Sequence, residues 1–264
     1  LETFRRFLRD ETIEYGIDTY IEEINTWIIG EQDVLTNHEG IIPNRDFFNK
    51  IKYKTRYVDK KGIALVKGSH GCPYNCSFCY CRLLNKGIYV KPDFDKLMNQ
   101  MKNIDSPYIW IVDDSLFISR EDAISFIDSS KKYNLNKSII GYLRADFLVN
   151  NVDLISELKK SGLDEVIVGF ESPDAETLLD YNKEQNSNIY KNVVEILNRE
   201  NIELTALFIV DPEYRIKDFL RLFKYIKNLK IKIYTLSIMT PLKGTPDYDK
   251  KKHLLTKKDP RKFD

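Results

Sequence analysis

The chain has 264 residues, 42% hydrophobic and 31% charged, enough to bury one sizeable core and short of the roughly 300 at which chains divide into several. Its 41 basic and 40 acidic residues leave a formal charge of +1, which removes any global electrostatic argument for nucleic acid or an anionic membrane. No apolar run approaches the roughly 20 residues of a membrane helix, and the opening LETFRRFLRD is amphipathic and charged, unlike a secretory signal. The expectation is a cytoplasmic protein with no membrane span and no nucleic-acid partner. The start at Leu1 and the stop in a charged stretch predict a piece cut from a longer chain.

Residues 1–60 predict one amphipathic helix over about 2–24, then irregular sequence with turn signals at Gly30, Gly40 and Pro43-Asn44. We read them as a linker or the tail of a preceding domain. From residue 61 to 246 a different rhythm holds, in which short β-branched runs alternate with segments of helical period. The runs are GIALVKG (62–68), YIWIVD (108–113), SIIGYLR (138–144), DEVIVGF (164–170), ELTALFIV (203–210) and KIYTLSIM (232–239). They are nearly continuously apolar, which predicts strands buried on both faces of a parallel sheet. The helices between them carry their own signals: Pro92-Asp93 before a run at helical spacing, a Ser119/Asp122 capping box, Asn151 as a cap, and helix starts at Ser172-Pro173 and Ser187. Six β/α units predict an α/β fold, a partial (β/α)6 TIM-like barrel open on one side. Residues 247–264 form a basic extension, read as a solvated tail.

All four cysteines, Cys72, Cys76, Cys79 and Cys81, fall within ten residues directly after the first predicted strand. A disulfide framework spreads its cysteines to close long loops, so this crowding points to a metal. Three thiolates in a CxxxCxxC loop can hold three irons of a four-iron, four-sulfur cube and leave the fourth open. A zinc knuckle, with four thiolates or three and His70, is the competing reading of the cysteines alone. Polar residues close the strands, namely Asp113-Asp114, Arg144 with Asp146, Glu171-Ser172, Asp211 with Glu213, and Thr240. In a parallel barrel these outline one mouth.

The motif GCPYNCSFC, with an aromatic before the third cysteine, resembles that of the radical S-adenosylmethionine enzymes, whose fold is a partial six-unit β/α barrel. The resemblance covers about residues 63–245. It implies that Cys72, Cys76 and Cys79 ligate a [4Fe-4S] cluster, that Phe78 lies near the adenine of S-adenosylmethionine, and that Glu171 (in GFES), Arg144 and Lys183 (in YNK) contact that cofactor. Asp113 and Asp114 stand where many members carry a glycine pair and a glutamate; they are taken as cofactor contacts, a departure from the pattern. Cys81 is left outside the ligand set.

IWIVDDSLF, LRADF, GLDEVIVGFES, FIVDPEY and MTPLKGTP resemble the cobalamin-binding branch of that family, the hopanoid C-3 methylase-like enzymes, and Leu1-Glu2-Thr3-Phe4 resembles the end of its cobalamin domain. Lys243 stands where that branch has proline, and no cobalamin-binding residues are present. The resemblance implies reductive cleavage of S-adenosylmethionine to a 5'-deoxyadenosyl radical, methyl transfer from a cobalamin held on a preceding domain, an electron donor such as flavodoxin or ferredoxin, and a small-molecule, lipid or peptide substrate. The alternatives are a cobalamin-independent radical enzyme, such as a methylthiotransferase or cyclase, and a non-catalytic iron-sulfur or zinc module.

Overall fold

The computed structural model describes residues 19–21, 26–28, 43–183 and 187–256. Six parallel strands form one sheet in chain order: β1 Ala64–Val66, β2 Tyr108–Ile111, β3 Ser138–Leu143, β4 Leu163–Glu171, β5 Glu203–Val210 and β6 Ile233–Ile238. β1 and β6 are the two edges and do not pair, so the sheet is an open barrel, as the six apolar runs predict. The helices that follow the strands are α1 Phe94–Lys102, α2 Arg120–Tyr133, α3 Ala145–Asn150, α4 Ile155–Lys160, α5 Ala175–Asp180, α6 Ile189–Arg199, α7 Ile216–Asn228 and α8 Pro246–Lys251.

The four inner strands, β2 to β5, alternate between two cores. One face, including Ile109, Ile111, Val166, Val168, Ala206 and Phe208, packs with Leu97, Met98 and Met101 of α1, Phe126 of α2, Val193 of α6 and Leu222 of α7. The other face carries Ile140 and Ile167 with Ile63, Tyr57, Trp110, Tyr142 and Leu207, the tier expected inside a barrel. Trp110 lies between Tyr57 and Tyr142, with ring centroids 4.8 and 6.0 Å apart.

The helix starts are mostly where the sequence puts them. Asp93 accepts the backbone N–H of Lys96 at 3.0 Å, and the Ser119/Asp122 capping box is complete. Asn151 is a correction: its side chain does not cap a helix but donates to the Phe147 carbonyl at 2.9 Å, and the turn after it, Val152–Leu154, is a 3-10 helix. The expected helix over 2–24 is overturned at 19–21, where Thr19–Ile21 pairs antiparallel with Thr26–Ile28; β-branched residues favour that choice. The rest of that expectation falls outside the described residues, as does the extension beyond 256.

The expected boundary at 60/61 falls inside a small hairpin, Arg56–Tyr57 with Lys60–Lys61, which belongs to the barrel. Lys60 is buried and bonds Glu165 of β4 at 3.0 Å and Glu203 of β5 at 2.7 Å. Thr205 donates to Glu165 at 2.7 Å, and Tyr57 does so at 3.3 Å. The hairpin thus closes the end of the barrel where β4 and β5 begin. A lone lysine in a linker carries no sequence signal for this, because its partners lie over 100 residues away.

Candidate active site

The loop between β1 and the single helical turn Cys81–Leu84 carries the first three cysteines, and its shape is fixed from both sides. At its start Asp113, fully buried just beyond β2, accepts the backbone N–H of Gly68 at 2.7 Å and of Ser69 at 2.8 Å. Burial pushes its carboxyl up to about 6, against the two amides that favour the ionised form. Asp113 therefore anchors the loop from beneath, each carboxylate oxygen accepting one loop amide. Next, His70 exchanges backbone hydrogen bonds with Val90, at 3.2 and 2.8 Å, and Gly71 takes a left-handed φ of 73°.

The far half of the loop is held by the residues after α5. Ser77 donates its N–H to the Tyr181 carbonyl at 2.9 Å and its hydroxyl to the Asp180 carbonyl at 3.2 Å. Asn182 donates to the Asn75 carbonyl at 2.8 Å, and the Asp247 N–H reaches the Ser77 carbonyl at 3.2 Å. Phe78 meets Tyr181 edge-on with centroids 5.2 Å apart. Tyr181 and Asn182 are functional neighbours that the sequence reading passed over for Lys183 beside them. Bonds to backbone carbonyls have no residue-type signature, which is why they were missed.

All four cysteines are free and half-buried. Burial pushes the Cys72 thiol up to about 11. Burial also raises Cys76, but the nearby charges of Lys183 and Arg144 act in the opposite sense and favour its thiolate. A hydrogen bond from Cys81 brings Cys79 down to about 7, overcoming its burial, and Cys81 itself is pushed up because it holds that proton. The donor set fits an iron-sulfur cube held by Cys72, Cys76 and Cys79: three thiols on one constrained loop, with two cations beside Cys76. Among the described residues no three metal-ligating side chains converge on a single point, and thiols that bind three separate irons have no need to.

Glu171, Lys183 and Arg144 are brought to the Cys76 side of the loop. Glu171 ends β4 in a left-handed conformation, φ 56°, after a register shift against β5 between Gly169 and Glu171. A non-glycine residue there costs about 1 to 2 kcal/mol, a strain typical of functional sites. The turn aims the carboxylate at Lys183, whose ammonium lies 2.5 Å from Glu171 and 2.8 Å from the Gly169 carbonyl. Both side chains are over 90% buried. Arg144, the residue after β3, pairs with Asp146 at 2.9 Å and stacks 3.8 Å above the Tyr74 ring. Asp114 is half-buried and close enough for its charge to act against the thiolates of Cys72 and Cys79. The site thus offers two carboxylates and two cations around the thiols, the groups needed for an ammonium, a carboxylate and a ribose diol.

The anchoring role of Asp113 makes a direct prediction. Asp113→Asn supplies one acceptor where two loop amides need one each, leaving a buried N–H unpaired at a cost of about 1 to 3 kcal/mol. Thermal unfolding should occur at lower temperature, and reconstituted protein should hold less iron per chain; a variant matching the parent in both would remove Asp113 from this role.

An open six-stranded parallel barrel with a cysteine-rich loop directly after its first strand defines a class of barrel proteins that carry a cluster of free thiols at the mouth. The Radical SAM superfamily profile matches residues 66–226, and the chain belongs to that family. It is 27% identical over 237 residues to the hopanoid C-3 methylase of Methylococcus capsulatus, covering 89% of this chain and 45% of that protein. It is 24% identical over 213 residues to the bacteriochlorophyllide d C-8(2)-methyltransferase of Chlorobaculum tepidum, covering 75% and 46%. In fold it resembles the cobalamin-dependent S-adenosylmethionine radical enzyme OxsB, solved with aqua-cobalamin and S-adenosylmethionine bound: TM-score 0.69 at 18% identity, covering 96% of this chain and 43% of that one. The chain spans about half the length, or less, of these relatives. Family membership makes it an enzyme dependent on a [4Fe-4S] cluster and S-adenosylmethionine, and on a reductant and a substrate. No helix among the described residues is long and apolar enough to cross a membrane.

Proposed function

We propose that this chain is the radical-generating barrel of a cobalamin-dependent methyltransferase, and that the cobalamin is held by a domain preceding it. The observation that carries the reading is the likeness to the hopanoid C-3 methylase along 89% of the chain, well beyond the barrel motif. When bound, the cluster and S-adenosylmethionine together supply one-electron cleavage of the sulfonium's bond to the 5' carbon. The protein's share is binding, orientation and exclusion of water. Cys72, Cys76 and Cys79 hold the cluster, while Glu171 and Lys183 stand beside Cys76 to receive the polar groups of the nucleoside and amino acid. Arg144, fixed by Asp146 and Tyr74, supplies a planar cation for a carboxylate. Asp114 lies near Cys72 and Cys79, and Phe78 offers a ring to the adenine.

Inside the barrel Leu65 of β1 is half-exposed and Trp110, Tyr142 and Leu207 line the same face, which favours an apolar substrate carbon over a charged one. Four free cysteines suit a reducing cytoplasm.

Reconstituted protein reduced with dithionite should convert S-adenosylmethionine to 5'-deoxyadenosine and methionine. Glu171→Ala should weaken S-adenosylmethionine binding by about 1 to 3 kcal/mol with iron content unchanged, because it removes an acceptor and leaves Lys183 buried without its partner. Equal affinity would show that Glu171 serves only Lys183. A gene product extended upstream should bind cobalamin and methylate; one that turns over S-adenosylmethionine yet binds no cobalamin would return the reading to the cobalamin-independent alternative.

A further inference from the structure

Cys81 is the one cysteine that the cluster reading leaves idle, yet it is not isolated. Its thiol donates a hydrogen bond to Cys79, and its other neighbour is the Asp114 side chain. Cys72, by contrast, bonds to the backbone of Tyr74, and the cations acting on Cys76 are Lys183 and Arg144. The thiols joined by a hydrogen bond are thus a cluster ligand and a residue outside the ligand set.

The backbone between them permits a covalent bond. Tyr80 has φ −90° and ψ −11°, close to helical. A residue in that conformation places the Cα atoms on either side of it about 5.5 Å apart, inside the roughly 4.4 to 6.8 Å span of disulfides. Both cysteines are free and half-buried, and the residues around them, Tyr80, Leu83 and Leu84, are exposed, so a small oxidant has access to the pair. The helical turn Cys81–Leu84 has only 4 residues, so bringing the sulfurs from hydrogen-bond to covalent distance disturbs one turn and no strand.

We propose that Cys79 and Cys81 form a reversible disulfide when the loop holds no cluster, and that Cys81 thereby shields a cluster ligand from irreversible oxidation. The disulfide stands on the geometry of the loop; the shielding rests on the cluster reading. With hydrogen peroxide as the oxidant, one sulfur attacks an oxygen, the O–O bond breaks, and a sulfenic acid and a water form. The other thiol then attacks the sulfenic sulfur, the S–O bond breaks, and a second water leaves with the remaining thiol proton. The pair gives up two electrons and two protons, and the peroxide is reduced to two waters. A dithiol such as dithiothreitol reverses the bond by thiol–disulfide exchange. Without Cys81 a sulfenic acid on Cys79 loses that resolving thiol and goes on to sulfinic acid, which dithiols do not reduce.

The test starts from protein purified without iron, treated with hydrogen peroxide, alkylated and cut with trypsin. Cleavage after Lys67 and Arg82 releases all four cysteines on one peptide, residues 68–82, for mass spectrometry. The parent's peptide should carry alkyl groups on Cys72 and Cys76 alone, with no added oxygen and a mass two hydrogens short. Dithiothreitol before alkylation should restore four alkyl groups. A bond from Cys79 to Cys72 or Cys76, four alkylated cysteines after peroxide, or sulfinic acid on Cys79 would overturn the proposal. The second readout is iron uptake. After peroxide and then dithiothreitol, the parent should rebuild most of its cluster and Cys81→Ala less than half, although the two match when peroxide is omitted. Equal recovery would overturn the shielding role. A parent that takes up no iron even without peroxide puts the cluster reading at fault, while the peptide map still decides the disulfide.

Discussion

Alanine at any one of Cys72, Cys76 or Cys79 is expected to take the reconstituted protein from about four irons per chain to nearly none, while Cys81→Ala keeps about four. The asymmetry follows from the loop. The first three thiols stand on a segment held at both ends, by Asp113 beneath Gly68 and Ser69 and by the carbonyls of Asp180 and Tyr181 on Ser77. Cys81 lies past that segment, at the first position of a helical turn, and its thiol donates to Cys79. Its removal takes a hydrogen bond from a ligand rather than a ligand from the cluster. Iron and sulfide assays with electron paramagnetic resonance of the reduced protein check both parts. Loss of iron from Cys81→Ala equal to that of the other three would make Cys81 a ligand, and stoichiometric zinc in protein purified without iron would favour the knuckle.

The barrel was legible because its strands carry their signal locally. Runs such as DEVIVGF and ELTALFIV are too continuously apolar for a one-faced sheet; β4 buries both faces as that pattern requires, and β5 buries one and half-buries the other. The last run, KIYTLSIM, has the same composition, yet Tyr234, Leu236 and Ile238 of β6 are exposed. Position at the edge decides that, and position is not written in the run itself. The cysteine loop was legible for a related reason, since the spacing of ligands along one short segment is already geometry.

The rest of the site depends on contacts between distant segments. Asp113 and Asp114 are neighbours of the same type, and the sequence offers no way to tell them apart. Strand alternation separates them: Asp113 turns under the loop to meet Gly68 and Ser69, and Asp114 faces Cys81 and Cys79. Glu171 was legible as a strand-end carboxylate, but not its left-handed backbone, which comes from the register shift that β5 imposes on β4. The hairpin at 56–61 was hidden most completely, because Lys60 gains meaning only when Glu165 and Glu203 are brought to it.

Two glycines beside the cysteine loop separate backbone strain from collision. Gly71 and Gly87 both have positive φ, 73° and 80°, so alanine at either is expected to cost about 1 to 2 kcal/mol in conformation alone. Their surroundings differ. A Cβ on Gly87 meets nothing nearer than the end of Arg82 at 3.4 Å, whereas a Cβ on Gly71 would lie 2.2 Å from the Ile88 carbonyl oxygen. That oxygen belongs to the backbone and already accepts from the Asn85 side chain at 2.8 Å, and the His70–Val90 bridge holds the two segments together on either side. The segment cannot yield without breaking those bonds, so Gly71→Ala must move the loop, and Cys72 is the next residue. Gly71→Ala should therefore lose most of its iron, like a ligand mutant, although every thiol is present. Gly87→Ala should keep about four irons and show only a modest fall in melting temperature. Iron per chain set against thermal unfolding of the iron-free protein distinguishes the two. If Gly71→Ala retains a full cluster, the loop has more freedom than its contacts allow, and the rigid support assigned to Cys72 is wrong.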